Sequence, residues 1–484
     1  MSEAPFHAAL LQRSADPATR TGKMEYISTR GSAPTLGFKD VTLAGLASDG
    51  GLYVPREWPT LSIEEIAGLR TKSYVETAVT VMRPFVAGTL SDDELQGLCT
   101  EAYGRFGHDA VVPLVQLDAQ NWLLELFHGP TLAFKDVALQ LLGLLFERFL
   151  ANTDTVLTVI GATSGDTGSA AIDALAGRER IEVFMLHPAG RVSDVQRRQM
   201  TTVLAPNIHN IAVEGDFDDA QRIVKAMFAD SETRDRLSLG AVNSINWARL
   251  MAQVVYYFYA AVRLGAPERA VAFSVPTGNF GDVFAGYVAA RMGLPIAKLI
   301  VATNINDILH RALSRGDYSC GTVEPTAAPS MDIQVSSNFE RLLFDISGRD
   351  GAALRRMMGE FEATKKLSIP TDMLVSARDF FASARIDAEE MAMSMRWAHD
   401  KCGQVIDPHT AIALSAAREL APPDVPVITL ATAHPAKFRD AVERATGIRP
   451  GLPPRVAGLF DRQERFDTLP ATLEAVKAHV FERS

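Results

Sequence analysis

Apolar positions follow two regimes along the chain, and the change falls near Pro113. Before it, SIEEIAGL, SYVETAVTVM and SDDELQGLCTEAYGRF carry apolar residues at helical spacing, and the first and third open on serines suited to capping a helix. They predict a helical N-terminal subdomain over 24–110. From about Pro113 onward, short β-branched or apolar runs alternate with longer helical periods, the pattern of an α/β protein with mostly parallel sheets. Three junctions there repeat one design. VLTVIGA from Val156 passes through the polar loop 163–168 into SAAIDALA, AVAFSVP from Ala270 passes through 277–282 into VFAGYVAARM, and VPVITLA from Val425 passes through 432–435 into AKFRDAVERA. Each aims a loop and a helix N-terminus at the space beyond a strand's carboxyl end, where open α/β sheets bind ligands. The three loops predict one composite site.

A chain of 484 residues is too long for one ordinary core and predicts two or three packed units. We expect a disordered tail over 1–23, the helical subdomain, a small α/β domain over 111–265 and a large one over 266–484. Pro-rich, irregular stretches at 325–347 and 448–470 read as loops or domain joins.

Charge and composition remove several functions. A net charge of −10 gives no general attraction to nucleic acid or to an anionic membrane, so an anionic ligand must be held by donors clustered in short loops. The longest apolar run, 139–150, is broken by Glu147 and Arg148 and falls short of the ~20 residues of a membrane span. Cys99, Cys320 and Cys402 lie far apart, which fits a reducing compartment, and the ten histidines form no HExxH pair, so no metal site is expected. Residues before Met24 mix Arg13 and Arg20 with Glu3 and Asp16 and lack the apolar core of a secretory signal, which points to the cytoplasm.

The candidate chemistry centres on ELFHGPTLAFKD from Glu125. Lys135 stands between a Gly-Pro-Thr turn and an apolar helix, where lost hydration and the partial charge of a helix N-terminus both lower its proton affinity. A deprotonated amine forms a Schiff base. Taken alone, the placement also fits a lysine that snorkels to water. SGDTG, from Ser164, offers hydroxyls, backbone N–H groups and glycines that let an anion approach the main chain; it equally fits a tight turn. GNFGD, from Gly278, repeats that design, and two cups suggest two anions. NSINWARL, from Asn243, opens a helix with Asn243, Ser244 and Arg249, whose guanidinium suits a phosphate or carboxylate but also fits a solvated helix cap.

Together with YISTRG at Tyr26, SDGGLYVP at Ser48, SSNFERLLFD at Ser336, DPHTA at Asp407 and TAHPAKF at Thr432, these segments resemble the threonine synthase family, in that family's order. The branch resembled is the longer one of many bacteria and fungi. The resemblance implies a fold type II (tryptophan synthase β-like) enzyme that uses pyridoxal 5′-phosphate to convert O-phospho-L-homoserine and water to L-threonine and phosphate. It implies that Lys135 is the Schiff-base lysine. Gly278, Asn279, Phe280 and Gly281, with Asp282, match the loop that cups the cofactor phosphate, and Thr432 matches the hydroxyl facing the pyridine nitrogen. Thr163, Ser164, Thr167, Asn243, Ser244 and Arg249 match the set that receives substrate carboxylate and phosphate. Where many fold type II enzymes place Asn near the cofactor's 3′-oxygen, this chain has Asp166. A carboxylate would repel a phenolate there, so Asp166 is expected to accept from the backbone or from a proton on the imine. Expected partners are the small-molecule substrate alone, with the chain a monomer or homodimer, and no activation by S-adenosylmethionine.

Overall fold

The computed structural model describes residues 22–484; all of the expected tail except Gly22 and Lys23 lies outside them. Five parallel strands form one sheet, in the order Asp467–Pro470, Ile208–Glu214, Ile181–Pro188, Leu157–Ala162 and Ser238–Gly240. Six form a larger one, in the order Phe381–Arg385, Ile296–Thr303, Val271–Pro276, Val427–Ala431, Asn121–Glu125 and Leu114–Gln116, and two further pairs of short strands stand apart from both. Every pairing in the larger sheet is parallel except at the Leu114–Gln116 edge. Val427–Ala431 is buried along its whole length, as parallel strands covered by helices on both faces require. This is the mostly parallel α/β architecture that the hydrophobic pattern predicts.

Sheet membership does not follow chain order. Asn121–Glu125, which chain order groups with 111–265, pairs with Val427–Ala431 in the larger sheet. Asp467–Pro470, grouped with 266–484, pairs with Ile208–Glu214 in the smaller one. The helix Leu473–Arg483 follows it there and packs Val476 and Val480 against Ile211, Val213 and Ile223. The strand 467–470 is short and largely exposed, with no apolar alternation to announce it; the open edge of Ile208–Glu214 recruits it. The stretch expected to be irregular at 325–347 likewise contains the helix Phe339–Ile346, only eight residues long and too short for its period to stand out.

The helix Trp247–Arg263 is buried from Trp247 through Val262 and packs against the helices Tyr74–Met82, Lys135–Leu150 and Gly281–Arg291. Its cap explains its position. Asn246 accepts from Ala248 N at 3.0 Å and donates to Thr42 O at 2.9 Å and Ala241 O at 3.0 Å, which ties the helix to Phe38–Ala44. Further along, Ile63–Gly68, Tyr74–Met82 and Asp92–Tyr103 all start with a serine-glutamate capping box, the second as well as the two foreseen. No helix among the described residues is long and apolar enough to cross a membrane.

Deleting 467–484 strips the edge strand and its helix from the smaller sheet alone. We expect faster hydrogen exchange in Ile208–Glu214 and Phe217–Ala229 with Val271–Pro276 unchanged; equal loosening of both sheets would contradict this assignment.

Candidate active site

The strand Asn121–Glu125 ends in the loop that carries Lys135. Gly129 in that loop has no room for a side chain, since a Cβ would stand 2.3 Å from Asp136 Cβ. Asp136 accepts from the Thr131 amide at 2.8 Å and the Thr131 hydroxyl at 2.6 Å, folding the turn back onto the helix Lys135–Leu150. Burial pushes the Asp136 carboxyl up to about 6, against those two donors. The loop is also tied to the one after Val427–Ala431: Phe134 N donates to Thr432 O at 2.8 Å, and His434 N to Leu132 O at 3.0 Å. Lys135, next along the chain from Phe134, is 8% exposed. Burial lowers its proton affinity, Asp166 opposes the shift, and the cations Lys437 and Arg249 reinforce it.

Each anion cup is built by tying down everything except its amides. Thr163 Oγ1 accepts from Gly165 N and Gly168 N, each at 2.9 Å. The resulting curl starts the helix at Asp166, ahead of the SAAIDALA run, and leaves the amides of Ser164, Asp166 and Thr167 without an acceptor among the described residues. At the second cup, a Cβ on Gly278 would stand 2.5 Å from Ser330 O. Phe280 is left-handed, with φ 62, a conformation that costs a non-glycine residue about 1–2 kcal/mol. Its ring offsets this, buried against Phe339 at 5.2 Å and Phe381 at 5.6 Å. Gly278 O accepts from Ser336 Oγ at 2.7 Å, and Asn279 O accepts from the backbone and side-chain nitrogens of Asn338 at 3.0 Å each. The amides of Gly278, Asn279 and Phe280 have no acceptor among the described residues. They stand at the N-terminus of the helix Gly281–Arg291, a ready anion site.

Further polar groups join these cups. Asn338 Nδ2 donates also to Ser244 O at 3.1 Å, which links the Gly278 loop to NSINWAR, and Ser244 Oγ lies 3.2 Å from Ser337 Oγ. Asn243 is exposed. Arg249 donates from Nη1 to Val242 O at 2.7 Å, while its Nε is buried without a partner among the described residues. Burial pushes that guanidinium down to about 10. Asp282 accepts on Oδ1 from the hydroxyls of Tyr256 and Tyr257, leaves Oδ2 unpartnered, and is pushed up to about 6 by burial.

Asp166 is the most heavily engaged of the site residues. Its Oδ1 accepts from Gln196 Nε2 at 2.8 Å and lies 3.0 Å from Lys437 Nζ, and its Oδ2 accepts from Lys135 Nζ at 3.3 Å. Burial alone would raise the carboxyl; Lys437 and then Lys135 reverse that and hold it well below the usual carboxylate range. The sequence pattern assigns no role to Lys437 or Gln196, and SSNFERLLFD from Ser336 enters it only as a matching segment. The signal for Lys437 was present, a lone lysine after a strand end in TAHPAKF, but its buried partner is 271 residues away (437 − 166).

An amine with a weakened hold on its proton, two cups of free amides, and near that amine a buried guanidinium with an unpaired nitrogen fit pyridoxal phosphate and an anionic substrate. The fold and site define a pyridoxal-phosphate-dependent enzyme of fold type II. Residues 107–432 match the model of pyridoxal-phosphate dependent enzymes, 25–103 that of the threonine synthase N terminus, and 410–480 that of the threonine synthase C-terminal region. Threonine synthase of Pseudomonas aeruginosa is 56% identical over 459 residues, covering 94% of this chain and 98% of that one. The crystal structure of PLP-bound threonine synthase from Brucella melitensis matches with a TM-score of 0.93 and 54% identity, over 95% of this chain and 99% of the other. The yeast threonine synthase structure matches with a TM-score of 0.90 and 40% identity, over 95% and 98%. The chain belongs to the threonine synthase family.

Phe280→Gly separates strain from packing at the second cup. It relieves the left-handed backbone yet removes a buried ring, a loss of about 3–5 kcal/mol in comparable cores, so the thermal unfolding midpoint should fall. A raised midpoint would show that strain dominates.

Proposed function

We propose that the enzyme converts O-phospho-L-homoserine and water to L-threonine and phosphate, by elimination at the γ-carbon and addition at the β-carbon. The observation that carries the reading is the pair of amide cups, at 164–167 and 278–280, around one lysine freed by burial from holding its proton tightly. Such a site takes one phosphate from a cofactor and a second anionic group from a substrate. Bound there, pyridoxal phosphate supplies the electron sink for charge released at the substrate's α-carbon.

The chain's own groups divide the remaining work. Lys135 would hold the cofactor through its amine and, when free, would take the α-proton and carry protons to later positions. Gly278, Asn279, Phe280 and Gly281 would hold the cofactor phosphate, and Asp282, Asp166 and Thr432 would contact the rest of it. Ser164 and Thr167 offer amides, and Arg249 its unpaired Nε, to the substrate's anionic groups, with Asn243 and Ser244 beside them. Thr163 shapes this cup, because its oxygen already accepts two amides. Gripping the phosphate with groups from both sheets draws the cleft shut, which keeps water from the reacting carbons until addition at the β-carbon. We place the enzyme in the cytoplasm as a monomer or homodimer, a reading supported by its three unpaired cysteines.

Incubation with O-phospho-L-homoserine should release phosphate and threonine in equal amounts; 2-oxobutyrate in place of threonine would turn the reading into a phospho-lyase. Lys135→Ala should abolish the visible imine band and the borohydride-reducible adduct. Arg249→Ala should lower kcat/KM roughly a hundredfold, about 2.7 kcal/mol, and unchanged turnover would remove Arg249 from the phosphate grip.

A further inference from the structure

Two lysines share one buried carboxylate, and they share it unequally. The side chain of Lys437 is 0% exposed, and its Nζ lies 3.0 Å from Asp166 Oδ1 while donating to Thr131 O at 2.7 Å. Lys135 has one contact to the same group, on Oδ2, at 3.3 Å. Lys437 is also the better anchored at its backbone. It lies in the turn Pro435–Lys437, where its amide donates to His434 O at 3.0 Å and its carbonyl accepts from Ser193 Oγ at 3.3 Å. Gln196 fixes Asp166 Oδ1 toward Lys437 with a further bond of 2.8 Å.

In a dry pocket one carboxylate compensates one ammonium best, and here Lys437 has two close acceptors while Lys135 has one longer contact. We propose that Lys437 is a positioning residue for Lys135: it takes the closer share of Asp166, at 3.0 Å on Oδ1, and leaves the Lys135 amine only the longer contact, at 3.3 Å on Oδ2. The proposal rests on the reading of Lys135 as the residue that bonds pyridoxal phosphate. The other charged groups facing this cluster are Arg249 beside Lys135, Asp282 across from it, Asp136 near Lys437 and His409 near Asp166. None of the four makes a hydrogen bond to either lysine, so the Lys437–Asp166 contact is the one that distinguishes them.

The sign follows from charge. Without Lys437, Asp166 pairs with Lys135, strengthens its hold on the proton, and slows every reaction that needs the neutral amine. Full-length protein freed of cofactor and re-supplied with pyridoxal phosphate, quenched with borohydride and mapped by mass, gives the rate of adduct formation at Lys135 against pH. Lys437→Met should displace this profile to higher pH by a unit or more, which is about tenfold slower reaction at neutral pH, and Lys437→Arg should restore it. Lys437→Gln, which keeps a donor for Thr131 O, serves if the methionine variant does not fold. Superimposable profiles overturn the proposal, as does preferential trapping of Lys437 in the unmodified protein. No adduct on Lys135 in the unmodified protein overturns the reading of Lys135 instead.

Discussion

An ionised carboxylate buried at Asp166 constrains the rest of the molecule. A buried carboxylate with no partners costs several kcal/mol, so its donors must be in place before the site is stable. They arrive from three directions: Lys135 after a strand of the larger sheet, Gln196 from the helix Asp194–Thr201 beside the smaller sheet, and Lys437 after another strand of the larger sheet. Asp166 itself opens a helix that follows the strand Leu157–Ala162 of the smaller sheet. One charge thus binds the two sheets to each other across the cleft. The same contacts keep Lys135 next to the helix that opens at Asp166.

Residues near the start of the described chain brace the Gly278–Phe280 loop through the segment 338–341. Glu340 accepts from Thr29 Oγ1 at 2.6 Å and from Arg30 Nε and Nη2 at 3.1 and 3.0 Å. Arg341, next along the chain and fully buried, donates to Tyr53 O at 3.1 Å, to Ile245 O at 2.7 Å and to Asn338. Asn338 in turn holds Asn279 O. The chain of contacts runs from STRG through NFER to GNFG, so segments with no chemistry of their own fix the direction in which the cup's amides point. Preorganised donors of this kind bind an anion without reorganising as charge arrives.

Much of this was legible from residue pattern, and the boundary of legibility has a physical origin. Periodicity reports burial within one element, which is why the three strand-to-helix junctions and the capped N-terminal helices were readable. It does not report which elements pair. Asp467–Pro470 is recruited by an open edge and shows three exposed positions of four, so nothing local marks it. Thr163 has the residue type of a ligand-binding hydroxyl, and only the folded loop reveals that its oxygen serves Gly165 and Gly168. Lys437 was hidden for the complementary reason: its partner Asp166 is distant in sequence, and a lysine in a polar-looking stretch reads as exposed until its surroundings are known.

The left-handed residues show how the site holds its geometry without glycine at every bend. Leu132 and Phe280 both adopt positive φ, both are buried, and each stands in a loop that contacts the reacting groups. A glycine would adopt the same backbone with less strain but would also leave the loop free to leave it. A buried side chain couples the strained backbone to the core, so that relaxing φ means withdrawing an aromatic or a leucine from close packing, at a cost above the strain itself. Rigid loops are what a lysine with a single long acceptor demands, because closing the 3.3 Å contact to Asp166 by ~0.5 Å would tighten that ion pair and strengthen the amine's hold on its proton.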